Sequence, residues 1–422
     1  MKKIVMSAVA LTAIMGSVNT LSAADDGINI FNDIKVKGEI RPRYEYANQD
    51  ITGKTAANAF TNRLHLSVTS GLLSVEGLTA TVGVQSVNNF GFENYNTPGS
   101  SRVNSDGEKY SVVNDPNVAM LSEASLDYTT GKTSLHAGRS QVNLDNQRFI
   151  GTVGWRQLER SYDTVYAANN SIDGLSLLGA YVYGYAGVGG VTTTETNSIL
   201  LNAKYKVADA LSITVYDYML ASLSDTYGIA LTGKADIGAK ITYRAEYAVQ
   251  SDPTMEYRVT NVKADASYYN LDLGANFSGI IAGLNYEHFS ASDSSGKTTF
   301  NPALGTNHKF NGWADVFFVG NAGPAGGLND ANLRLGYKTK GFGKLLAVYH
   351  DFQAAEDMAT TGGTTTNLGS EIDVVYANKI PGVNGLTGLV KYASYAAGGD
   401  TTSFANTNND KQVAWAQLDY KF

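Results

Sequence analysis

Between Asp33 and Ala47 the chain alternates with a period of two. The even positions are Ile34, Val36, Gly38, Ile40, Pro42, Tyr44 and Tyr46, and the odd positions from 35 to 45 are Lys35, Lys37, Glu39, Arg41, Arg43 and Glu45. Successive side chains of a strand point to opposite faces, so this segment has one apolar face and one fully charged face. A soluble sandwich has room for one such strand. A barrel crossing a bilayer must repeat the pattern all the way round, with its outer face against hydrocarbon and its inner face against water.

The pattern recurs. Phe60, Leu64, Leu66 and Val68 alternate with Thr61, Arg63, His65, Ser67 and Thr69, and Met120, Ala124, Leu126 and Tyr128 alternate with Glu123, Ser125, Asp127 and Thr129. From 239 to 250, Ile241, Tyr243, Ala245, Tyr247 and Val249 face one way, while Lys240, Thr242, Arg244, Glu246, Ala248 and Gln250 face the other. Most segments approach the roughly 9–11 residues that a tilted strand needs to cross a bilayer. Eighteen strands can be read between 33 and 422, with 16 as the runner-up. The weakest, 259–276, slips parity near Tyr269, which suggests a bulge or a misplaced turn. Short turns such as Thr130-Gly131-Lys132, Asp236-Ile237-Gly238 and Lys340-Gly341-Phe342 alternate with long polar connections at about 88–117, 142–159, 291–329, 354–368 and 398–410. That asymmetry is the one expected of a transmembrane antiparallel β-barrel with short periplasmic turns and long extracellular loops. The final strand, ending at Phe422, would close the sheet against 33–47 and resembles an outer-membrane sorting signal.

Lys2 and Lys3, the apolar run Ile4 to Met15 and the small residues Ser22-Ala23-Ala24 read as a secretory signal peptide over 1–24, leaving 25–422 as one barrel domain. No later apolar run is long enough for a spanning helix. Cysteine is absent, which excludes thiolate metal sites and cysteine nucleophiles, and the formal charge of −7 argues against nucleic acid as a partner. The five histidines, His65, His136, His288, His308 and His350, have no paired metal spacing, and no Ser-His or Asp-His motif of a barrel hydrolase stands out. No enzyme, metal or cofactor is expected. The expected surroundings are the outer membrane of a Gram-negative bacterium, with its lipid and lipopolysaccharide and the barrel-assembly machinery; the barrel itself would be a monomer or a trimer.

Two stretches resemble the alginate-export family of outer-membrane porins. The first runs through Gly138-Arg139-Ser140-Gln141, Leu144 to Gly151 (Asp145, Asn146, Gln147, Arg148 and Phe149 among them), then Gly154-Trp155-Arg156-Gln157 and Tyr162-Asp163. The second holds His308, Phe310-Asn311-Gly312-Trp313-Ala314-Asp315, Gly327-Leu328-Asn329-Asp330, Ala347 to Phe352 with His350, Gly369 to Asp373, and Lys391-Tyr392-Ala393. The resemblance implies an 18-stranded monomeric barrel. It speaks much less to alginate as cargo.

Eight of the 11 arginines precede residue 161. Parity places Arg41, Arg43 and Arg63 in the lumen, and Arg139, Arg148, Arg156 and Arg160 lie in or beside the 142–159 connection. With Lys240 and Arg244 they would form a cationic ladder facing Glu39, Glu123, Asp127, Glu246 and Asp315, a transverse field suited to small polar or anionic solutes. The alternative is a static network without selectivity. An open 18-stranded barrel is wide, so at least one of the 88–117 and 291–329 loops is expected to fold inward, with Phe310 to Asp315 as the candidate element. These features point to a porin for passive diffusion. The competing readings are an exporter of an anionic polysaccharide such as alginate, and a surface adhesin or structural barrel.

Overall fold

The computed structural model describes residues 30–97, 109–190, 192–292, 297–318 and 323–422. The segment read as a signal peptide and Arg102 lie outside them. Eighteen strands follow one another: β1 (Phe31–Gln49), β2 (Ala57–Leu72), β3 (Leu78–Asn88), β4 (Val118–Thr130), β5 (Thr133–Ser140), β6 (Ser161–Asn169), β7 (Leu175–Ala186), β8 (Thr194–Ala208), β9 (Leu211–Leu220), β10 (Ser224–Asp236), β11 (Lys240–Ser251), β12 (Ala266–Phe277), β13 (Ile280–Phe289), β14 (Leu328–Thr339), β15 (Gly343–Thr360), β16 (Gly363–Lys379), β17 (Leu386–Ala396) and β18 (Lys411–Lys421). Each pairs antiparallel with the next, and β1 also pairs with β18, so the sheet closes and no edge is left open.

Closure satisfies the backbone polar groups that lipid cannot. At the seam Gly38 N–H donates to Phe422 O at 2.9 Å and Phe422 N–H returns a bond to Gly38 O at 3.0 Å. The Phe422 ring covers Gly38 on the outer face, in the space that a Cβ would occupy. The apolar parity set faces outward: Val82, Leu126, Leu135, Val165, Leu201, Leu271, Leu284, Leu335, Ile372 and Val390 are all exposed. Tyrosines and phenylalanines gather toward the short-turn rim, among them Tyr128, Tyr205, Tyr243, Tyr337 and Phe342, as in an interfacial girdle. The charged parity set faces inward, where Glu39, Arg41, Arg43, Glu45 and Arg63 are buried. The buried core is therefore the lumen itself, filled by loops.

Three expectations change. Met120 was grouped with the outward residues but is buried and pairs with inward Gln85. The register shifts between Gly83–Glu123 and Val84–Leu121, so the extra residue Ser122 inverts the parity of β4. In place of a strand from 259, β12 begins at Ala266 and runs in unbroken register with β11 past Tyr269. The parity slip there came from including irregular chain. Instead of a 354–368 loop, β15 and β16 continue as a hairpin beyond the wall to a turn at 361–362, with register breaks around Gln353.

Inward and outward positions should respond differently to charge. Leu271→Arg, on the lipid face near mid-strand, is expected to cost about 2–4 kcal/mol in urea unfolding from vesicles. Thr242→Arg, on the lumen face of the adjacent strand β11, should leave the unfolding midpoint nearly unchanged.

Candidate functional site

The described residues of three connections enter the lumen: 89–97 and 109–117 between β3 and β4, 141–160 between β5 and β6, and 290–292, 297–318 and 323–327 between β13 and β14. The second of these, a deep plug, was not singled out as one from sequence. Non-glycine residues adopt positive φ at its bends, Asp145 (49°), Gln147 (70°) and Val153 (58°), and again in the third at Asp315 (53°) and Phe318 (57°). A β-branched residue such as Val153 is rare there. Such geometry persists only where surrounding contacts enforce it.

The strand arginines supply those contacts. Arg41 Nη1 donates to Gly154 O at 3.0 Å. Arg43 Nη2 donates to Trp155 O at 2.6 Å and to Gln417 Oε1 at 2.7 Å, its guanidinium stacks 4.2 Å over the Trp155 ring, and Asp115 from the first loop lies 3.7 Å away. Arg63 pairs with Glu159 at 2.8 Å and Glu39 at 3.5 Å, and Glu39 also pairs closely with Arg41. Gln157 Nε2 reaches Thr61 Oγ1 at 3.1 Å, and its N–H donates to Asp115 Oδ1 at 3.0 Å. Asp115 and Gln157 were invisible to parity because neither lies on a strand.

Arg148 joins the two deeper plugs. It is fully buried, bonds Glu287 on β13 at 2.8 Å and donates to Asn311 Oδ1 at 2.6 Å and Asn307 Oδ1 at 3.3 Å. Phe289 and Phe310 each lie 4.6 Å from its guanidinium carbon. Asn146 Oδ1 accepts from Arg148 N–H at 3.0 Å, Gln147 O accepts from Thr306 N–H at 2.9 Å, and Phe149 packs edge-on against Tyr268 at 5.2 Å. Asp145 pairs closely with Arg244, which also binds Glu246 at 2.8 Å. Arg160 donates to Leu304 O at 2.6 Å.

The plugs meet the wall around Arg156, His308 and Lys391. Arg156 bridges Glu45 (3.1 Å) and Asp315 (2.8 Å). His308 Nδ1–H donates to Asp315 Oδ1 at 2.8 Å, while its Nε2 accepts from Lys391 Nζ at 2.6 Å, which defines a neutral imidazole in one tautomer. Its ring stacks on Trp155, 4.9 Å apart and 4° from parallel. Burial pushes the His308 imidazole down to about 3, against the pull of Asp315 and helped by Lys391 and Arg156. Burial works against ionisation of Asp315, but His308 and Arg156 hold its carboxyl well below the ordinary range. Lys391 on β17 sits over Trp313 at 3.9 Å, Trp155 at 4.0 Å and Trp415 at 5.0 Å, so all three tryptophans of the chain enclose one ammonium. Sequence reading missed Lys391 as a site residue, although parity on β17 points it inward.

Gly312 (φ 80°) lets the backbone turn against the wall. A Cβ there would strike the Glu371 carboxylate, which accepts from Ala314 N–H at 2.7 Å. His350 lies behind this turn, bonded to Asp330 at 2.8 Å. Two residues fall outside the plug. Arg139 shares the outward parity of Leu135 and Ala137 and binds Asp163 (2.6 Å) at the long-loop rim instead of lining the lumen. Lys240 lines a separate cavity of about 810 Å³ near the short turns, with Arg334, Lys338 and Lys344. The expected facing walls of base and acid are also absent from the described residues around the plug: Glu39, Glu45, Glu246 and Asp315 bind the arginines directly, Glu123 lies 3.5 Å from His65, and Asp127 binds His136.

Two chambers lie on either side of His308. One of about 340 Å³ opens toward the long loops and is lined by Arg156, Arg160, Asp315, Phe317 and Lys411. The other, about 500 Å³, opens toward the short turns and is lined by Arg41, Trp155, Lys309, Trp313 and Lys391. His308 lines both.

A closed transmembrane β-barrel with a loop-narrowed lumen is the architecture of outer-membrane channels, and the solved structures similar to this chain are of that kind. OpdO of Pseudomonas aeruginosa matches with 14% identity and a TM-score of 0.69 over 93% of this chain and 98% of that one. OccAB4 of Acinetobacter baumannii matches with 15% identity and a TM-score of 0.70 over 93% and 98%. OpdK of P. aeruginosa, solved with vanillate, matches with 13% identity and a TM-score of 0.69 over 93% and 99%. At such identities the likeness is one of fold. No protein-family model and no curated protein matches the chain.

Arg148→Met should release the plug, because it leaves Glu287 buried without its cation at a cost of about 3–5 kcal/mol; faster trypsin cleavage within 141–160 than in the unaltered barrel checks this. Acid should loosen the same contacts. A free imidazole takes up its proton near about 6.5, whereas docked His308 does so only near 3. The docked state therefore loses stability as pH falls from the first value toward the second. The expected outcome is a tryptophan emission change across that window, absent in His308→Gln.

Proposed function

We propose that this chain is an outer-membrane channel through which small polar solutes, anions among them, diffuse past the 141–160 and 290–327 plugs. The observation that carries this reading is the donor-rich chamber below His308. Arg41, Lys309 and Lys391 line it with Asp419 as the acid. Arg41 Nε and Trp155 Nε1 are buried there without a hydrogen-bond partner in the protein. A solute bearing a carboxylate would meet cations and indole N–H donors at the point where the path narrows. Vanillate, found with OpdK, is a small aromatic carboxylate, and a planar anion of that size suits a chamber walled by Trp155 and Trp313. In this reading residues 1–24 direct export and are removed, the short turns face the periplasm and the long loops face outward.

Planar-bilayer recording under a salt gradient tests it. The refolded barrel should show small, anion-preferring conductance. Arg41→Gln and Lys391→Met should each move the reversal potential toward zero. An unchanged reversal potential in both variants would sink the anion assignment, and no conductance would sink the channel. Because every tryptophan surrounds Lys391, vanillate should also quench the intrinsic fluorescence saturably, and Lys391→Met should weaken that response.

A second reading, export of an anionic polysaccharide such as alginate, draws on the cavity at the short-turn mouth, where Lys240, Arg334, Lys338 and Lys344 stand against Asp272. It requires block of conductance by oligoalginate added from that side and none by a neutral oligosaccharide of equal length.

A further inference from the structure

We propose that Ser140, His136 and Asp127 form a nucleophilic-serine site on the lumen wall that cleaves small esters by acyl transfer to water. The three residues lie on β4 and β5, away from the plug contacts. His136 Nδ1 lies 2.7 Å from Asp127 Oδ1, and Ser140 Oγ lies 3.1 Å from His136 Nε2. Each ring nitrogen is thus assigned to the partner that a nucleophile–base–acid chain requires. With Asp127 accepting from Nδ1–H, Nε2 presents its lone pair to the serine hydroxyl, the tautomer of a general base. Ser125 Oγ donates to the other carboxylate oxygen at 3.0 Å, and the Tyr166 ring stacks on the imidazole 4.5 Å away and 11° from parallel. Carboxylate and ring are therefore both fixed in place.

The strand register builds this arrangement. Asp127 and Tyr166 are the cross-strand partners of His136 on its two sides. Ser140 is four residues further along the same face, and the intervening position, Gly138 (φ 129°), has no side chain to separate them. His136 is buried, the Asp127 side chain is 32% exposed, and Ser140 is half-buried. Gln141, the next residue in the chain, has a buried Nε2 without a hydrogen-bond partner in the protein.

In the proposed step Ser140 Oγ bonds to the ester carbonyl carbon as His136 Nε2 takes the hydroxyl proton. The carbon–alkoxy bond then breaks, and the alcohol leaves with that proton. Water repeats the sequence on the acyl-serine, releasing the acid and restoring Ser140. No oxidant or metal enters the balance. Asp127 acts as a positioning residue through His136.

The test uses the refolded full-length barrel with a fluorophosphonate probe, read by mass spectrometry of the adduct, and with p-nitrophenyl acetate. The expected result is an adduct on Ser140 that is lost in Ser140→Ala, with both labelling and hydrolysis slowed about 100-fold or more in His136→Ala. Asp127→Asn should slow labelling while leaving the channel conductance as it was, a readout that separates positioning from collapse of the wall. Heat-unfolded protein should not label. Absence of an adduct on Ser140, or equal labelling of folded His136→Ala barrel, would overturn the proposal.

Discussion

A guanidinium removed from water is tolerated only where its donors and its charge are both met, and Arg148 meets that condition by drawing together parts of the chain far apart in sequence. Its partners are a wall carboxylate, Glu287, and two amides of the opposite plug, Asn307 and Asn311. The aromatic faces of Phe289 and Phe310 exclude water around it. One other buried cation, Arg156, joins the 141–160 and 290–327 segments, through Asp315. The approach of Trp155 to His308, which brings the two chambers to a common residue, depends on both segments staying docked.

The same logic extends outward from Arg148. Arg41, Arg43 and Arg63 hold Gly154, Trp155 and Glu159, and Arg156 holds Glu45 and Asp315. Buried ion pairs of this kind contribute little net stability, because desolvation offsets most of the attraction. They do make an incorrect loop position costly, since a displaced plug leaves charges buried without partners. The lumen is accordingly narrow and polar. Within it, Arg41 Nε and Trp155 Nε1 are buried without a hydrogen-bond partner in the protein, Arg41 Nε lying 3.7 Å from Asp419.

The wall could be read from residues alone because lipid and water impose opposite demands on alternating positions. The segment 239–250 matched β11 (Lys240–Ser251) nearly residue for residue. The misreadings fell where that demand lapses. At Ser122 a bulge inverts parity and sends Met120 inward. Beyond residue 353 the hairpin stands clear of the barrel wall, so no hydrophobic alternation marks its strands. Within the site, parity identified Arg41, Arg43 and Arg63 as luminal. It had no purchase on Gln157, Asp115 or Asn307, whose backbone follows no fixed period; Arg139 was grouped with the 142–159 connection, whereas the parity of β5 turns it outward to Asp163.

By itself, then, the sequence determined a closed antiparallel barrel with a charged interior, since two-residue periodicity against two solvents leaves no other way to satisfy both faces, while the count of eighteen strands was settled by the closed sheet. Tertiary structure alone decided which loops plug the barrel, which arginine meets which carboxylate, and that three tryptophans from two loops and a strand converge on Lys391. It also decided that Asp127, His136 and Ser140 line up, because cross-strand register sets that alignment. Those choices depend on contacts between residues as much as 374 positions apart, such as Arg43 and Gln417. No local pattern encodes a partner at that distance; the closed barrel has to form first and confine the loops against its inner wall.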